Sequence, residues 1–170
     1  TPFTADAIGG FLRVWYDRGM SSIEEPHVDN LLLIVVGAHL RAELSDRPLA
    51  YRLRERILAW QEEAGARDDV PALKPVVCTD LWYLNNRELM DRPTIAIGDP
   101  SVNAACAYLS TRLPTAFVIE ETLRVHLDPE FIDVQACLWG VSNGATARAV
   151  DVFVERHMHT FLREAPGSAA

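Results

Sequence analysis

Short unbroken apolar runs alternate along this chain with longer stretches in which apolar residues recur every three or four positions. The first kind is clearest at Leu31-Leu32-Leu33-Ile34-Val35-Val36-Gly37, the pattern of a strand buried on both faces. Pro75-Val76-Val77-Cys78-Thr79 and Thr94–Gly98 repeat it, and Phe131–Trp139, ending at Gly140, supplies another. The second kind predicts helices. Thr4–Arg18 places Ile8, Phe11, Leu12, Trp15 and Tyr16 on one face, with Gly19 as a stop, and a polar loop follows to Asn30. Leu49, Leu53, Ile57 and Trp60 form a stripe that Gly65 ends, leaving Arg52, Arg56 and Glu63 toward water. Ser45 or Asp46 is the expected cap of that helix, with Pro48 in its first turn. Asp99–Leu113 reads as a helix stopped by Pro114. Asn143 opens the last helix, with a stripe of Thr146, Val150, Phe153, Val154, His157 and Phe161.

Two segments depart from this rhythm. Asp80–Arg92 intersperses Trp82, Tyr83, Leu84, Leu89 and Met90 with Asn85, Asn86 and Arg87, and reads as a short helix from Asn85 or Asn86, or as a structured loop. Ala116–Ile119 and Thr122–Leu127 read as two strands, or as one bent at Glu120-Glu121. The second alternates strictly, Leu123, Val125 and Leu127 against Thr122, Arg124 and His126, which predicts a half-exposed strand at a sheet edge. Strands alternating with helices predict an α/β fold: a three-layer Rossmann-like sandwich on a mostly parallel sheet with an antiparallel edge insertion. The 170 residues suit a single domain, 1–170, with an N-terminal helix and loop over 1–30 and a flexible small-residue tail over 165–170.

Charge removes several function classes. A formal net charge of −8 disfavours nucleic acid and anionic membrane as partners. Lys74 is the only lysine, and the arginines are spread along the chain except at Arg52, Arg54 and Arg56. Cys78, Cys106 and Cys137 are odd in number and widely spaced, which predicts free thiols and a reducing compartment. Thr1–Arg18 lacks the basic start and apolar core of a secretory signal, and Leu31–Ala38 is too short to span a bilayer. The expected location is cytoplasmic.

In open α/β sheets, ligands bind beyond the carboxyl ends of the strands, where strand order reverses. Parallel pairing of the apolar runs would bring Gly37-Ala38-His39, Cys78-Thr79-Asp80, Gly98-Asp99-Pro100-Ser101 and Gly140-Val141-Ser142-Asn143 to one edge. The candidate ligand-binding residues there are His39, Asp80, Asp99, Ser101 and Asn143. Asp99 reads first as a helix N-cap, whose carboxylate would fill the anion site that a phosphate uses; the alternative is a Mg²⁺ ligand shared with Asp80. Cys78 reads as a buried strand thiol or as a nucleophile with His39 as base, and Trp82 as core or as a recognition residue. His157 and His159, two apart on a helix, point to different faces. Neither G-x-G-x-x-G, G-x-x-x-x-G-K-[ST] nor G-x-S-x-G occurs, and zinc-ligand spacing is absent, so no cofactor is identified and no metal expected.

Two segments, Gly98-Asp99-Pro100-x-x-Asn103 after a strand and Gly140 followed by Ala145-Thr146-x-x-Ala149, resemble the Rossmann-like domain of archaeal surface-layer proteins. That family shows Gly-Gly-Pro at the first turn, where this chain has Asp99. The resemblance covers the second half of the chain and implies a non-catalytic structural or assembly role. Two functional expectations result, and they leave open whether the protein is an enzyme. The leading one is an interaction or self-assembly module, a homo-oligomer or partner binder using the N-terminal helix (Phe11, Trp15) and the Thr122–Leu127 strand. The alternative is a small-molecule binder or enzyme with its site at the strand carboxyl edge.

Overall fold

A computed structural model describes residues 28–65 and 71–166. The helix expected over Thr4–Arg18, part of the 66–74 linker and most of the 165–170 tail lie outside the described residues; Ala165, within them, is buried. After a 3₁₀ turn at Val28–Asn30 the chain runs through β1 (Leu31–Val36), α1 (Leu40–Gly65), β2 (Lys74–Thr79), α2 (Asp80–Asn85), α3 (Arg87–Met90) and β3 (Thr94–Ile97). It continues through α4 (Ala104–Ser110), β4 (Thr115–Ile119), β5 (Leu123–Leu127), β6 (Gln135–Gly140), α5 (Asn143–Arg156) and α6 (Met158–Glu164).

The fold is α/β, built on a six-stranded mixed sheet in the order β2-β1-β3-β6-β5-β4. β2, β1, β3 and β6 are parallel neighbours; β5 pairs antiparallel with β6, and β4 antiparallel with β5. Side-chain alternation along the strands produces two cores. On one face Leu32, Ile34, Val36, Ile95, Ile97 and Leu138 meet α1, α5 and α6 through Leu53, Ile57, Val150, Phe153 and Phe161. On the other, Leu33, Val35, Ala96 and Cys137 meet Tyr83, Leu89, Cys106 and Leu109 of α2, α3 and α4. All six residues of β1 are buried, as a continuous apolar run requires when both faces are covered.

Several local expectations need correction. β5 is not an edge strand: it pairs with β6 on one side and β4 on the other, and even His126 is buried. Helix α1 begins at Leu40, so Asp46 is an interior helical residue and Pro48 lies in the third turn. The true entry is set by His39, whose carbonyl receives the Glu43 N–H and whose Nδ1 accepts the Arg41 N–H in the tautomer assigned. Segment Asp80–Arg92 holds two short helices, the first capped by Thr79 Oγ1, and Trp82 is 46% exposed rather than core. Phe131–Val134 is a loop, because the Asp128 carboxylate gathers the N–H groups of Glu130, Ile132 and Asp133 and bends the chain away from strand geometry. The last helix does open at Asn143, with Ser142 as its cap, but it breaks at His157 into α5 and α6.

Candidate functional site

The parallel strands do bring the four loop segments to one carboxyl edge. Strand order reverses between β1 and β3, since β2 lies on one side of β1 and β3 on the other. That crevice is filled by the protein's own polar groups. Asn103 is fully buried; its amide donates to the carbonyls of Val35 (3.2 Å) and Ile97 (2.8 Å), joining the ends of β1 and β3. Its Oδ1 accepts the N–H groups of Ala105 and Cys106, which makes Asn103 the cap of α4. Asp80 works alongside it. One carboxylate oxygen accepts Ala38 N–H (2.9 Å) and Leu81 N–H (2.8 Å), and the other accepts Ala104 N–H at 2.7 Å. Above them a Cβ on Gly37 would sit 1.9 Å from the Val102 carbonyl oxygen, so backbone lies directly on backbone. Among the described residues, this part of the edge is closed by the chain's own hydrogen bonds and backbone contact.

One strand further along, between β3 and β6, the edge is open. A cleft of about 260 Å³ is lined by Arg41, Ser45 and Asp46 of α1, Asp99 and Val102 after β3, and the Gly140–Asn143 turn with Thr146. Two glycines shape its floor. Gly98 has φ +120°, and a Cβ there would meet Asp46 Oδ2 at 2.4 Å. A Cβ on Gly140 would meet Ala145 Cβ at 2.5 Å, and the Thr146 hydroxyl holds the same Gly140 backbone from α5.

Asp46 is the unusual group of this cleft. It is 4% exposed, yet among the described residues its carboxylate has one hydrogen-bond partner, the Ser45 hydroxyl at 3.0 Å. That hydroxyl also lies 2.8 Å from the Arg41 carbonyl, and its single proton serves one acceptor at a time. Burial pushes the Asp46 pKa up, the Ser45 bond and the Arg41 charge pull it back, and nearby Asp99 raises it further. Asp99 shifts the other way. Hydrogen bonds from Ser101, including its N–H at 2.7 Å, together with the Arg41 charge hold it below the usual aspartate range, against a smaller burial effect. Two neighbouring carboxylates with opposite shifts, both within the influence of the Arg41 charge, make a polarised pocket.

The residues expected from sequence divide accordingly. Asp99 and Asn143 line the cleft; Asp80 belongs to the closed crevice beside it. Asp99 does not cap α4, because Asn103 does; it caps the turn at Ser101 instead. Ser101 is exposed and reaches the cleft only through that bond, and His39 is exposed at the start of α1. Asp46, Arg41, Ser45, Ser142 and Thr146 were missed. Cys78 is buried, and burial drives its thiol to about 12, which removes it as a thiolate nucleophile at neutral pH. His159 is exposed and stacks on Trp60 at 5.6 Å, while half-buried His157 faces elsewhere. Among the described residues no group of three or more His, Cys, Asp or Glu could hold a metal ion, and no helix is long and apolar enough to cross a membrane. Compared with models of protein families, with curated proteins and with solved structures, the chain gives no match.

Proposed function

We propose that this domain binds a small polar molecule in the Asp46–Asp99 cleft, presenting an amine or hydroxyl donor to the carboxylates. The observation that carries the reading is Asp46, a residue 4% exposed whose carboxylate opens onto the cleft and has one shared hydrogen-bond partner among the described residues. Buried carboxylates normally have their acceptor sites filled by protein or ordered water, as Asp80 does nearby. A donor group of a ligand completes Asp46. The about 260 Å³ of space suits a metabolite-sized molecule rather than a dinucleotide. Arg41 and the exposed start of α5 give an opposite end of the ligand, anionic or hydroxylated, a second contact.

The parallel order β2-β1-β3-β6, with helices on both faces, supports grouping the domain with three-layer Rossmann-like sandwiches that carry an antiparallel insertion. Free, buried Cys78, Cys106 and Cys137 support a reducing, cytoplasmic setting. The interaction-module reading is weakened at one of its surfaces, since Leu123, Val125, His126 and Leu127 are buried.

The test is thermal unfolding with a panel of amino acids, polyamines, sugars, sugar phosphates and nucleotides, on wild type and Asp46→Asn. A ligand at 100 times its Kd adds about 2.7 kcal/mol, or about 5–10 °C for a chain of this size. The expected result is a shift from an amine-bearing or hydroxyl-rich compound that Asp46→Asn abolishes. A panel without a single shift, or a shift equal in wild type and variant, overturns the assignment.

A further inference from the structure

The outer edge of the sheet carries a second inference, independent of the cleft. β4 (Thr115–Ile119) pairs with β5 on one side and, among the described residues, with no strand on the other. Its sequence Thr-Ala-Phe-Val-Ile contains no charge, and every residue but half-buried Phe117 is exposed, with Val118 at 40% and Ile119 at 43%. Charged residues and short or bulged edges normally guard such strands. Here the strand is short and a register shift falls between Thr115 and Phe117, but the run from Phe117 to Ile119 is regular and carries no charge. Arg156 lies over the inner Phe117 ring at 4.7 Å, on the side away from the exposed Val118.

Charge is placed at the two ends of this strand with opposite sign. Exposed Arg112 precedes it, and exposed Glu120 and Glu121 follow it in the turn that Thr122 N–H closes onto the Ile119 carbonyl. We propose that β4 is the pairing edge for a second copy of this chain, antiparallel about a two-fold axis normal to the sheet at Phe117. This register sets Thr115 against Ile119 and Ala116 against Val118 of the other copy. It also brings the Arg112 end of each strand beside the Glu120–Glu121 end of the other. Parallel pairing would instead stack Arg112 on Arg112, so the charge pattern selects the antiparallel arrangement. The result is one continuous twelve-stranded sheet, twice the six strands of one copy. Five-residue edges bury little area, so the dimer is a weak, reversible one.

Sedimentation equilibrium from low micromolar to near-millimolar chain tests this. The wild type should move from monomer toward dimer mass with concentration. Val118→Lys should weaken association by about tenfold or more, equivalent to 1.4 kcal/mol per tenfold. Because Val118 also faces Arg124 across the β4–β5 pair, the variant's monomer Tm is measured alongside, and the charge swap supplies the independent arm. Arg112→Glu and Glu120→Arg should each weaken it, and the two combined should restore it. A protein that is monomeric throughout overturns the proposal. So does a dimer indifferent to Val118→Lys and to the charge swap, which would place the interface elsewhere.

Discussion

Two neighbouring stretches of the same sheet edge, β1/β3 and β3/β6, each bury an aspartate, Asp80 and Asp46, and use it in opposite ways. At β1/β3, Asp80 accepts three backbone N–H groups and Asn103 satisfies two carbonyls and two amides, so the polar capacity of the crevice is consumed within the chain. At β3/β6, Asp46 is as buried as Asp80, but shares one hydroxyl proton with a backbone carbonyl. The two are told apart by their hydrogen-bond accounting, not by residue type, burial or position in the fold. A saturated carboxylate is a structural joint. An under-coordinated one that opens onto a cleft is the place where we propose a ligand's donor binds.

Breaking the joint should cost most. Asn103→Ala removes a cap and leaves the Val35 and Ile97 carbonyls unpaired in the interior. Equilibrium urea unfolding is expected to show a loss of about 3 kcal/mol. Asp80→Ala frees the amides of Ala38, Leu81 and Ala104, all three on exposed residues, for a loss of about 2 kcal/mol by the same measurement. Across the edge the sign reverses. Asp46→Asn removes a buried charge without removing a saturated network, so stability is expected to stay level or rise by about 1 kcal/mol while ligand binding is lost. A loss as large as that of Asp80→Ala would erase the contrast between the two residues.

The smallest effect sharpens the comparison through pH. Burial lowers the pKa of His126 and of His157. As pH falls below the ordinary histidine value, the unfolded chain takes up protons that the folded one refuses, so stability declines. Asp46 acts in the opposite sense at lower pH. Between the ordinary aspartate value and its raised folded value the native state holds the extra proton, so stability is gained as pH falls through that window. Urea midpoints followed from neutral to acid pH should fall first, and His126→Gln should shrink that first decline. Asp46→Asn should leave it intact and remove the later gain.

Legibility in the sequence follows the range of the interaction involved. β1 was readable because burial on both faces demands an unbroken apolar run, and Leu31–Val36 provides one. Phe131–Val134 was misread, since its apolar character resembles strand while the Asp128 carboxylate, a few residues earlier, folds it into a loop. The position of Asp46 was hidden by Pro48, a strong helix-start signal that the structure overrides: buried Ala42 belongs to an earlier part of the same helix. Gly98 was the available clue to the cleft, although what its missing side chain makes room for is Asp46, 52 positions away in sequence. Asp80 and Asp99 looked equivalent as carboxylates at strand ends. Only their partners, Ala38 and Ala104 for one and Ser101 for the other, separate joint from cleft.

The central claim is that Asp46 is a buried carboxylate short of partners, and an NMR titration of side-chain carboxyl carbons tests it without knowledge of any ligand. The account predicts that Asp46 titrates above the ordinary aspartate value and Asp99 below it, two adjacent groups split in opposite directions. If Asp46 titrates at or below the ordinary value, its charge is already well solvated or well paired, and the case for the β3/β6 cleft as a binding site is contradicted.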